Sequence, residues 1–183
     1  MRAQLLAAAT GRTLEIGGGT GANIGHYTQA VTELVVTEPD PHMARRLRTH
    51  VADASTAFPV EVVEAPAESL PFADASFDCV VSALVLCTVS DPERAAAEVR
   101  RVLAPSGRLL LIEHIRDPHS ERRARWQDRL ERPWGWFVGG CHPNRDTTAT
   151  LAAAGFELDL VDDEFPKSGP VIKPLVRGTA TLS

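Results

Sequence analysis

The sequence predicts an α/β fold built on a mostly parallel sheet of seven strands. Short runs rich in β-branched residues alternate along the chain with longer runs of helical periodicity, a pattern typical of strand–helix–strand units. The first apolar run ends in a glycine-rich turn, Gly17 to Gly21. Two later segments open with the pairs Asp40-Pro41 and Asp91-Pro92, which are helix-start signals.

In the first half of the chain these signals define three strands with helices between them. Leu5 to Ala9 are interpreted as the end of a helix, and Thr13 to Ile16 as the first strand. The other predicted elements are a crossover helix at Ala22 to Ala30, a strand at Glu33 to Glu38, a helix from Asp40 to about Val51 and a strand at Val60 to Glu64.

The second half adds four strands. The fourth strand is predicted at Phe77 to Ala83, and Ser90 to Glu93 then carries both a capping box and an Asp-Pro helix start. The elements that follow are a turn at Pro105 to Gly107, a fifth strand at Arg108 to Glu113, a helical insertion from Arg116 to Val138 and a helix from Arg145 to Ala154 ended by Gly155.

The last two predicted strands, Phe156 to Asp163 and Val171 to Leu182, are joined by the short loop Pro166 to Pro170. A parallel crossover needs a dozen or more residues, so these strands must be antiparallel. The sheet is therefore expected to end in a C-terminal antiparallel hairpin.

Composition excludes several classes of function. The length of 183 residues, 44% of them apolar, suits a single domain spanning residues 1–183. A net charge of -5 gives no broad positive surface for nucleic acid. The longest apolar run, Val80 to Val89, is far too short to cross a membrane. We therefore expect a small-molecule partner and no integral membrane segment, and leave a homodimer open.

The three cysteines indicate a reducing compartment. Cys79, Cys87 and Cys141 cannot all pair, and their wide spacing matches no zinc template. We therefore predict a cytoplasmic protein without a metal. The alternative is a metal site built from Cys87 and Cys141 with His114 or His142.

The glycine turn predicts a cofactor loop. Glycine lets the backbone adopt dihedrals that a Cβ forbids, and it lets a ligand lie against bare main chain. In open α/β sheets, ligands bind beyond the carboxyl ends of the strands, where strand order reverses. Glu38 closes the second strand and is placed to accept hydrogen bonds from a ribose diol there. Adenosine is implied, which leaves NAD and S-adenosylmethionine as candidates.

Two observations argue against NAD. A short-chain dehydrogenase needs a tyrosine with a lysine four residues on, whereas the only tyrosine, Tyr27, has Val31 at that offset. The terminal antiparallel hairpin also points away from a dinucleotide fold.

An ordered series of motifs resembles the class I S-adenosylmethionine-dependent methyltransferases. It comprises Leu14 to Gly21, Glu38, Leu70-Pro71-Phe72, Phe77-Asp78 and Arg101-Val102-Leu103 with Pro105 and Gly107, and covers residues 13 to about 114. Ser106 stands where the family usually has a glycine. The resemblance implies a Rossmann-like sheet, S-adenosylmethionine as the cofactor, and methyl transfer.

The same resemblance implies roles for eleven residues in binding the cofactor. Gly17, Gly19 and Gly21 would lie against its methionine and ribose part, with Glu15 behind the loop near the amino end. Glu38 would hold the ribose hydroxyls. The remaining implied contacts are Pro39 and Met43 beside the adenine, Ala67 and Glu68 at the adenine edge, and Ser82 and Leu84 at the methionine tail.

A narrower resemblance is to the thiol S-methyltransferase-like group, of methyltransferase type 11. It rests on Gly21-Ala22-Asn23, Leu84 to Val89, Glu113-His114, Trp126-Gln127, Pro133-Trp134, Gly140-Cys141 and Arg145. The best-known members of that group carry an N-terminal membrane anchor, and with twelve residues before the first strand we expect none here. A lipophilic thiol is the favoured acceptor. The alternatives are O-, N- or C-methylation of a quinone or secondary metabolite, and a non-catalytic cofactor-binding protein.

Residues 116–145 are expected to form a lid over the transferable methyl, because they follow the fifth strand, whose carboxyl end should open toward the crevice. The segment contains all three tryptophans. Trp126, Trp134 and Cys141 are the candidate substrate contacts, the tryptophans as part of an aromatic wall. His114 is the candidate catalytic residue, steering or deprotonating the acceptor.

Overall fold

Seven strands form one mixed sheet in the computed structural model, which describes residues 2–137, 140–164 and 174–183, without the side chains of 132–137. The strands are β1 (Gly11–Ile16), β2 (Val31–Thr37), β3 (Val60–Val63), β4 (Phe77–Ala83), β5 (Leu103–His114), β6 (Phe156–Glu164) and β7 (Pro174–Leu182). Their spatial order is β3-β2-β1-β4-β5-β7-β6. The first five strands pair in parallel, and β7 is antiparallel to both β5 and β6. The expected sheet with its C-terminal hairpin is confirmed.

Two of the helices begin at the expected Asp-Pro pairs. The helices are α1 (Arg2–Leu6), α2 (Pro41–Asp53), α3 (Pro92–Val102), α4 (Glu121–Phe137) and α5 (Thr147–Ala153). The Asp40 carboxylate accepts hydrogen bonds from two N–H groups in the first turn of α2, and the Asp91 carboxylate accepts one from the N–H of Arg94 in α3. Ser90, the capping-box alternative, instead donates its hydroxyl to Glu68.

Apolar side chains alternate between the two faces of the sheet, as the pleat of a strand requires. Leu14 and Ile16 of β1 pack in the cluster that includes the buried faces of α3 and α5. Leu34 and Val36 of β2 belong to a second cluster with residues of α1 and α2. Burial of each large apolar side chain contributes about 1.5 to 3 kcal/mol. Helices therefore cover both faces of the sheet.

The first crossover is not the α-helix expected at Ala22 to Ala30. A single 3-10 turn, Ile24–His26, replaces it. The side chains of Asn23 and Tyr27 turn inward and donate hydrogen bonds to the buried carboxylate of Glu15. These long-range contacts outweigh the local helical pattern, so the prediction was wrong at this element.

The turn predicted at Pro105 to Gly107 is a bulge inside β5. Leu103 pairs with Phe77 and Arg108 with Cys79, so residues 104–107 protrude from the ladder. Ser106 is exposed there and does not have a positive φ. The position where the sequence departs from the family pattern therefore makes no demand for glycine.

Some sequence-based expectations fall on residues that the structure does not describe. They are the loop Pro166 to Pro170, the start of the last strand at residues 171–173, and Val138 at the end of the insertion. None of the helices in the described part of the chain has the length and apolar character needed to span a bilayer.

Candidate functional site

A cavity of about 800 Å³ opens beyond the carboxyl ends of β1, β2 and β4. Strand order reverses at this edge, because β1 lies between β2 and β4, and ligands bind at such a position in open α/β sheets. The residues lining the cavity are Gly17, Gly19, Glu38, Pro39, Asp40, Met43, Pro66, Ala67, Glu68, Leu84, Val85, Thr88, Val89 and Ser90. They include eight of the eleven expected cofactor contacts; Glu15, Gly21 and Ser82 are not among them.

The glycines after β1 leave main chain exposed to the cavity. Gly17 and Gly19 both have φ near +58°, a left-handed conformation that L side chains rarely adopt. A Cβ built on Gly19 would meet no protein atom within 4 Å, whereas one on Gly18 would lie 2.2 Å from Cγ1 of Val36. Gly19 therefore leaves space for a ligand, and Gly18 permits close packing on β2.

Gly21 packs against α2. It does not line the cavity, and a Cβ at this position would lie 3.0 Å from Cδ1 of Leu47 and 3.3 Å from the ring of His50. Its φ of +92° is again left-handed. The residue therefore forms a turn that packs against α2, and its expected contact with the cofactor stays a prediction.

Glu38 connects the glycine loop to the start of α2. Its Oε2 accepts a hydrogen bond from the backbone N–H of Gly19 at 2.7 Å, and its Oε1 accepts one from Asp40 N at 3.0 Å. The side chain lines the cavity although the residue is only 6% exposed. A carboxylate has about four acceptor sites, so two bonds leave it able to accept more from a ligand.

Glu15 lies behind the loop, as expected, and is almost fully buried. Its carboxylate accepts hydrogen bonds from Asn23 Nδ2 at 2.8 Å and Tyr27 Oη at 2.6 Å. Burial raises the pKa of Glu15 to about 7, and the two hydrogen bonds only partly offset that effect. Asn23 and Tyr27, which were not among the expected site residues, thus fix the strand that carries the loop.

Glu68 lines the cavity and is held by hydrogen bonds. Its Oε1 accepts hydrogen bonds from the N–H and hydroxyl of Ser90 and a longer one from Asp91 N. Burial alone would raise its pKa, but the hydrogen bonds outweigh it and the pKa is lowered. The loop that carries Ala67 and Glu68 is thereby attached to the start of α3.

Glu113 is an important buried group that the list of expected site residues did not include. Its Oε1 accepts from Ser82 Oγ at 2.6 Å, Val85 N at 2.9 Å and Leu86 N at 3.1 Å, and its Oε2 accepts from Cys87 N at 3.2 Å. Burial nevertheless raises its pKa above the usual value. The sequence signal that could have identified Glu113 is an acidic residue at the end of an otherwise apolar strand.

The hydrogen bonds to Glu113 hold the turn after β4 in place. Leu84 adopts a left-handed φ of 66°, which is unusual for a branched side chain, and its side chain lines the cavity. Ser82 is fully buried and bonds to Glu113 instead of lining the cavity. Its expected contact with the methionine tail is therefore corrected to a supporting role.

His114 closes β5 beside two cysteines from other parts of the chain. Its Nδ1 lies 3.4 Å from Sγ of Cys141 and 3.8 Å from Sγ of Cys87, and all three residues are buried. The hydrogen bond between Cys87 and Cys141, together with burial, raises the pKa of the Cys87 thiol far above its usual value. Cys79 is buried elsewhere in the core. His142 does not join the group, because its Nδ1 lies 2.9 Å from Glu131.

The structure does not place Trp126 where we expected it. The residue is 48% exposed and lies on a surface of α4 with Arg122, Arg125 and Arg129, and it does not line the cavity. The Arg129 guanidinium lies over its ring at 5.8 Å from the centroid. The side chain of Trp134, the other expected aromatic contact, is outside the described residues.

Hydrogen bonds fix part of the segment 116–145 internally, and Arg145 attaches it to the rim of the cavity. Gln127 of α4 donates hydrogen bonds to the carbonyls of Ile115 and Pro143. Arg145 donates to the carbonyls of Leu86 and Val89, the second of which lines the cavity. The segment therefore borders the site, and its action as a lid stays a prediction.

The polar groups and the apolar walls of the cavity fit S-adenosylmethionine. The bare main chain at Gly19 could lie against a ligand, and the Glu38 carboxylate could accept from ribose hydroxyls. Leu84, Val85 and Met43 supply apolar walls. The site thus combines polar groups for a ribose with apolar surface for a base and an alkyl chain.

Comparisons with known proteins agree with this geometry. Residues 14–111 match a family model described as a methyltransferase domain. The chain is 34% identical over 179 residues to thiol S-methyltransferase TMT1B of Homo sapiens, an alignment covering 96% of this chain and 73% of that protein.

Two further similarities are more restricted. The ubiquinone/menaquinone biosynthesis C-methyltransferase UbiE of Hahella chejuensis (strain KCTC 2396) is 39% identical over 103 residues, covering 55% of this chain and 41% of that protein. The crystal structure of an S-adenosylmethionine-dependent methyltransferase from Methanosarcina mazei superposes with a TM-score of 0.74 at 24% identity, covering 94% of this chain and 93% of that one. The family model and the relative of 34% identity, taken with the cavity, show that the chain belongs to the methyltransferase domain family and is an S-adenosylmethionine-dependent methyltransferase.

Proposed function

We propose that this enzyme methylates the sulfur of a small lipophilic thiol. The observation that carries the proposal is the extent of similarity to a thiol S-methyltransferase, which covers 96% of the chain. The similarity to a quinone C-methyltransferase covers only 55%. Because the acceptor side of a methyltransferase lies largely outside the cofactor motifs, similarity through the second half of the chain favours a thiol over a quinone ring carbon.

In this proposal, residues at the rim of the cavity hold the cofactor. Gly17 and Gly19 present main chain to its methionine and ribose part, and Glu38 accepts from the ribose hydroxyls. Pro39 and Met43 flank the adenine, with Ala67 and Glu68 at its edge and Leu84 at the methionine tail. S-adenosylmethionine supplies a methyl group activated by a sulfonium.

The protein mainly has to position the thiol and the methyl group for reaction. Alignment of two reactants can account for much of the rate of a displacement. A thiol ionises near neutrality and needs no strong base, whereas a hydroxyl or ring carbon would need one. His114 is our candidate for holding or removing the thiol proton, and Cys141 beside it is a candidate acceptor contact. We also propose a reducing, cytoplasmic setting, since none of the three cysteines forms a disulfide.

A panel of acceptors tests the proposal. The enzyme is incubated with S-adenosylmethionine labelled at the methyl group and with a thiol, a phenol, an amine and a quinol that share one lipophilic scaffold. We expect label to appear on the thiol at least about tenfold faster than on the others, because its anion is available near neutral pH. Faster labelling of the quinol carbon would support C-methylation in its place. A heat-inactivated sample is the control for spontaneous alkylation.

A further inference from the structure

Three metal-binding side chains converge from three segments that are distant in sequence. Cys87 follows β4, His114 is the last residue of β5, and Cys141 follows α4. Their ligand atoms all lie within 4.8 Å of one another, and all three residues are buried. Among the described residues, no other group of three or more potential metal ligands lies so close together.

The distances within this group match the edges of a tetrahedral zinc site. Zinc–sulfur bonds of about 2.3 Å and zinc–nitrogen bonds of about 2.0 to 2.1 Å place two sulfurs about 3.8 Å apart, and a sulfur and a nitrogen about 3.6 Å apart. The Cys87 and Cys141 sulfurs are 3.8 Å apart. The Nδ1 atom of His114 lies 3.4 Å from one sulfur and 3.8 Å from the other. A disulfide would require the sulfurs to approach to about 2.05 Å.

The surrounding backbone holds the ligands in this arrangement. The N–H of Cys87 donates to Glu113, and its carbonyl accepts from His142 N at 2.7 Å. Arg145 donates to the carbonyl of Leu86. The turn after β4 and the segment after α4 are therefore joined by hydrogen bonds at Leu86 and Cys87. A site whose supporting contacts are formed in advance binds a metal with little rearrangement.

We propose that Cys87, His114 and Cys141 bind one Zn²⁺, with a water in the fourth position. Two cysteines and one histidine are a donor set that zinc favours, and soft thiolates discriminate against Mg²⁺ and Ca²⁺. The metal ties the segment containing Cys141 to the ends of β4 and β5, next to the cavity. The proposal replaces the expectation of a metal-free protein and does not depend on the identity of the methyl acceptor. It also replaces the acceptor roles given above to His114 and Cys141, because an imidazole nitrogen and a thiolate bound to zinc are not free to contact the thiol.

Metal analysis of the full chain tests the proposal. Protein reconstituted with Zn²⁺ and dialysed should retain about one zinc per chain, and Cys87→Ala or Cys141→Ala should retain less than about a tenth. Cys79→Ala, which removes a buried cysteine outside the group, should retain the wild-type content. Circular dichroism and a melting curve check that each variant is folded. Chelation should lower the melting temperature of the wild type and leave that of Cys141→Ala unchanged.

Cobalt substitution keeps the test independent of the variants. Co²⁺ added to the wild-type chain should produce thiolate-to-cobalt charge-transfer absorption and the intense visible bands of tetrahedral coordination, saturating near one equivalent. Absence of these bands together with loss of zinc on dialysis would overturn the proposal. Full zinc content in Cys87→Ala and Cys141→Ala, or a Cys87–Cys141 disulfide in protein kept under reducing conditions, would also overturn it.

Discussion

The backbone N–H of Gly19 donates to Oε2 of Glu38 across 2.7 Å, so the loop after β1 and the acid after β2 are joined. The same carboxylate accepts from Asp40 N at the start of α2. Two motifs that are separate in sequence therefore form one wall of the cavity. The conformation of the loop and the position of the proposed ribose acceptor depend on one side chain.

Neighbouring glycines should respond differently to substitution. Gly19→Val should weaken S-adenosylmethionine binding by at least about tenfold, because the new side chain enters the cavity, and the left-handed φ adds about 1 to 2 kcal/mol of strain. Gly18→Ala should instead lower stability by about 1 to 3 kcal/mol, because its Cβ meets Val36. Calorimetric titration and urea unfolding measure the two effects. Gly25→Val, at an exposed glycine with open space around it, is the control, and equal affinity losses in all three variants would contradict the assignment.

Burial of Glu15 predicts a pH dependence of stability. Its pKa is about 7 in the folded protein against an ordinary value of 4.5, so the folded state keeps a proton that the unfolded state has lost. The free energy of unfolding should therefore fall as the pH rises from about 4.5 to about 7, by about 3 kcal/mol in the cofactor-free protein. Glu15→Gln should remove this part of the slope. Urea unfolding of both proteins at pH 5 and pH 8 measures it, and parallel changes in the two would refute the prediction.

Loss of the Glu113 carboxylate should destabilise the turn that carries Leu84. Glu113→Ala leaves three buried backbone N–H groups without their acceptor, at about 1 to 3 kcal/mol each. We expect a loss of at least about 3 kcal/mol in urea unfolding. Ser82→Ala is the matched control, since it removes one donor and leaves the three backbone bonds; it should cost about 1 kcal/mol. Equal losses in the two variants would mean that the carboxylate does not support the turn.

Exposure of Trp126 predicts a small effect on catalysis. Because the residue lies on a solvent-facing surface of α4, Trp126→Ala should change kcat/KM for a lipophilic thiol by less than about twofold, and stability by about 0.5 kcal/mol or less. Met43→Ala, at a residue that lines the cavity, is the comparison and should raise the KM for S-adenosylmethionine. A tenfold fall in kcat/KM with Trp126→Ala would place the acceptor against α4.

Much of the fold follows from local signals. Short runs rich in β-branched residues mark the strands, the Asp-Pro pairs open α2 and α3, and the short final loop requires an antiparallel hairpin. Each of these signals is contained in a few consecutive residues. The crossover at Ala22 to Ala30 could not be predicted in the same way, because its conformation depends on hydrogen bonds from Asn23 and Tyr27 to Glu15 in the sheet.

The site residues also fall into two groups: those that local sequence predicts and those whose positions depend on the folded structure. Gly17, Gly19 and Glu38 occur at strand ends, where the sequence alone identifies a crevice. Trp126 was expected at the site because tryptophan is rare in the chain, but its helix turns that side chain outward. The group of Cys87, His114 and Cys141 forms only when the ends of β4 and β5 meet the segment after α4. Its wide spacing in sequence matches no zinc template, so the sequence offered this group only as an alternative, with His114 or His142 as the third ligand.

The most direct test of the account is calorimetric titration of S-adenosylmethionine into the wild type and into Glu38→Ala. Charge-assisted hydrogen bonds contribute about 1.5 to 3 kcal/mol each, so the variant should bind about tenfold more weakly or worse. Glu61→Ala, an exposed acid on β3, should bind like the wild type. Unchanged affinity in a folded Glu38→Ala protein would show that the cofactor does not use the cavity described between the glycine loop and Glu38.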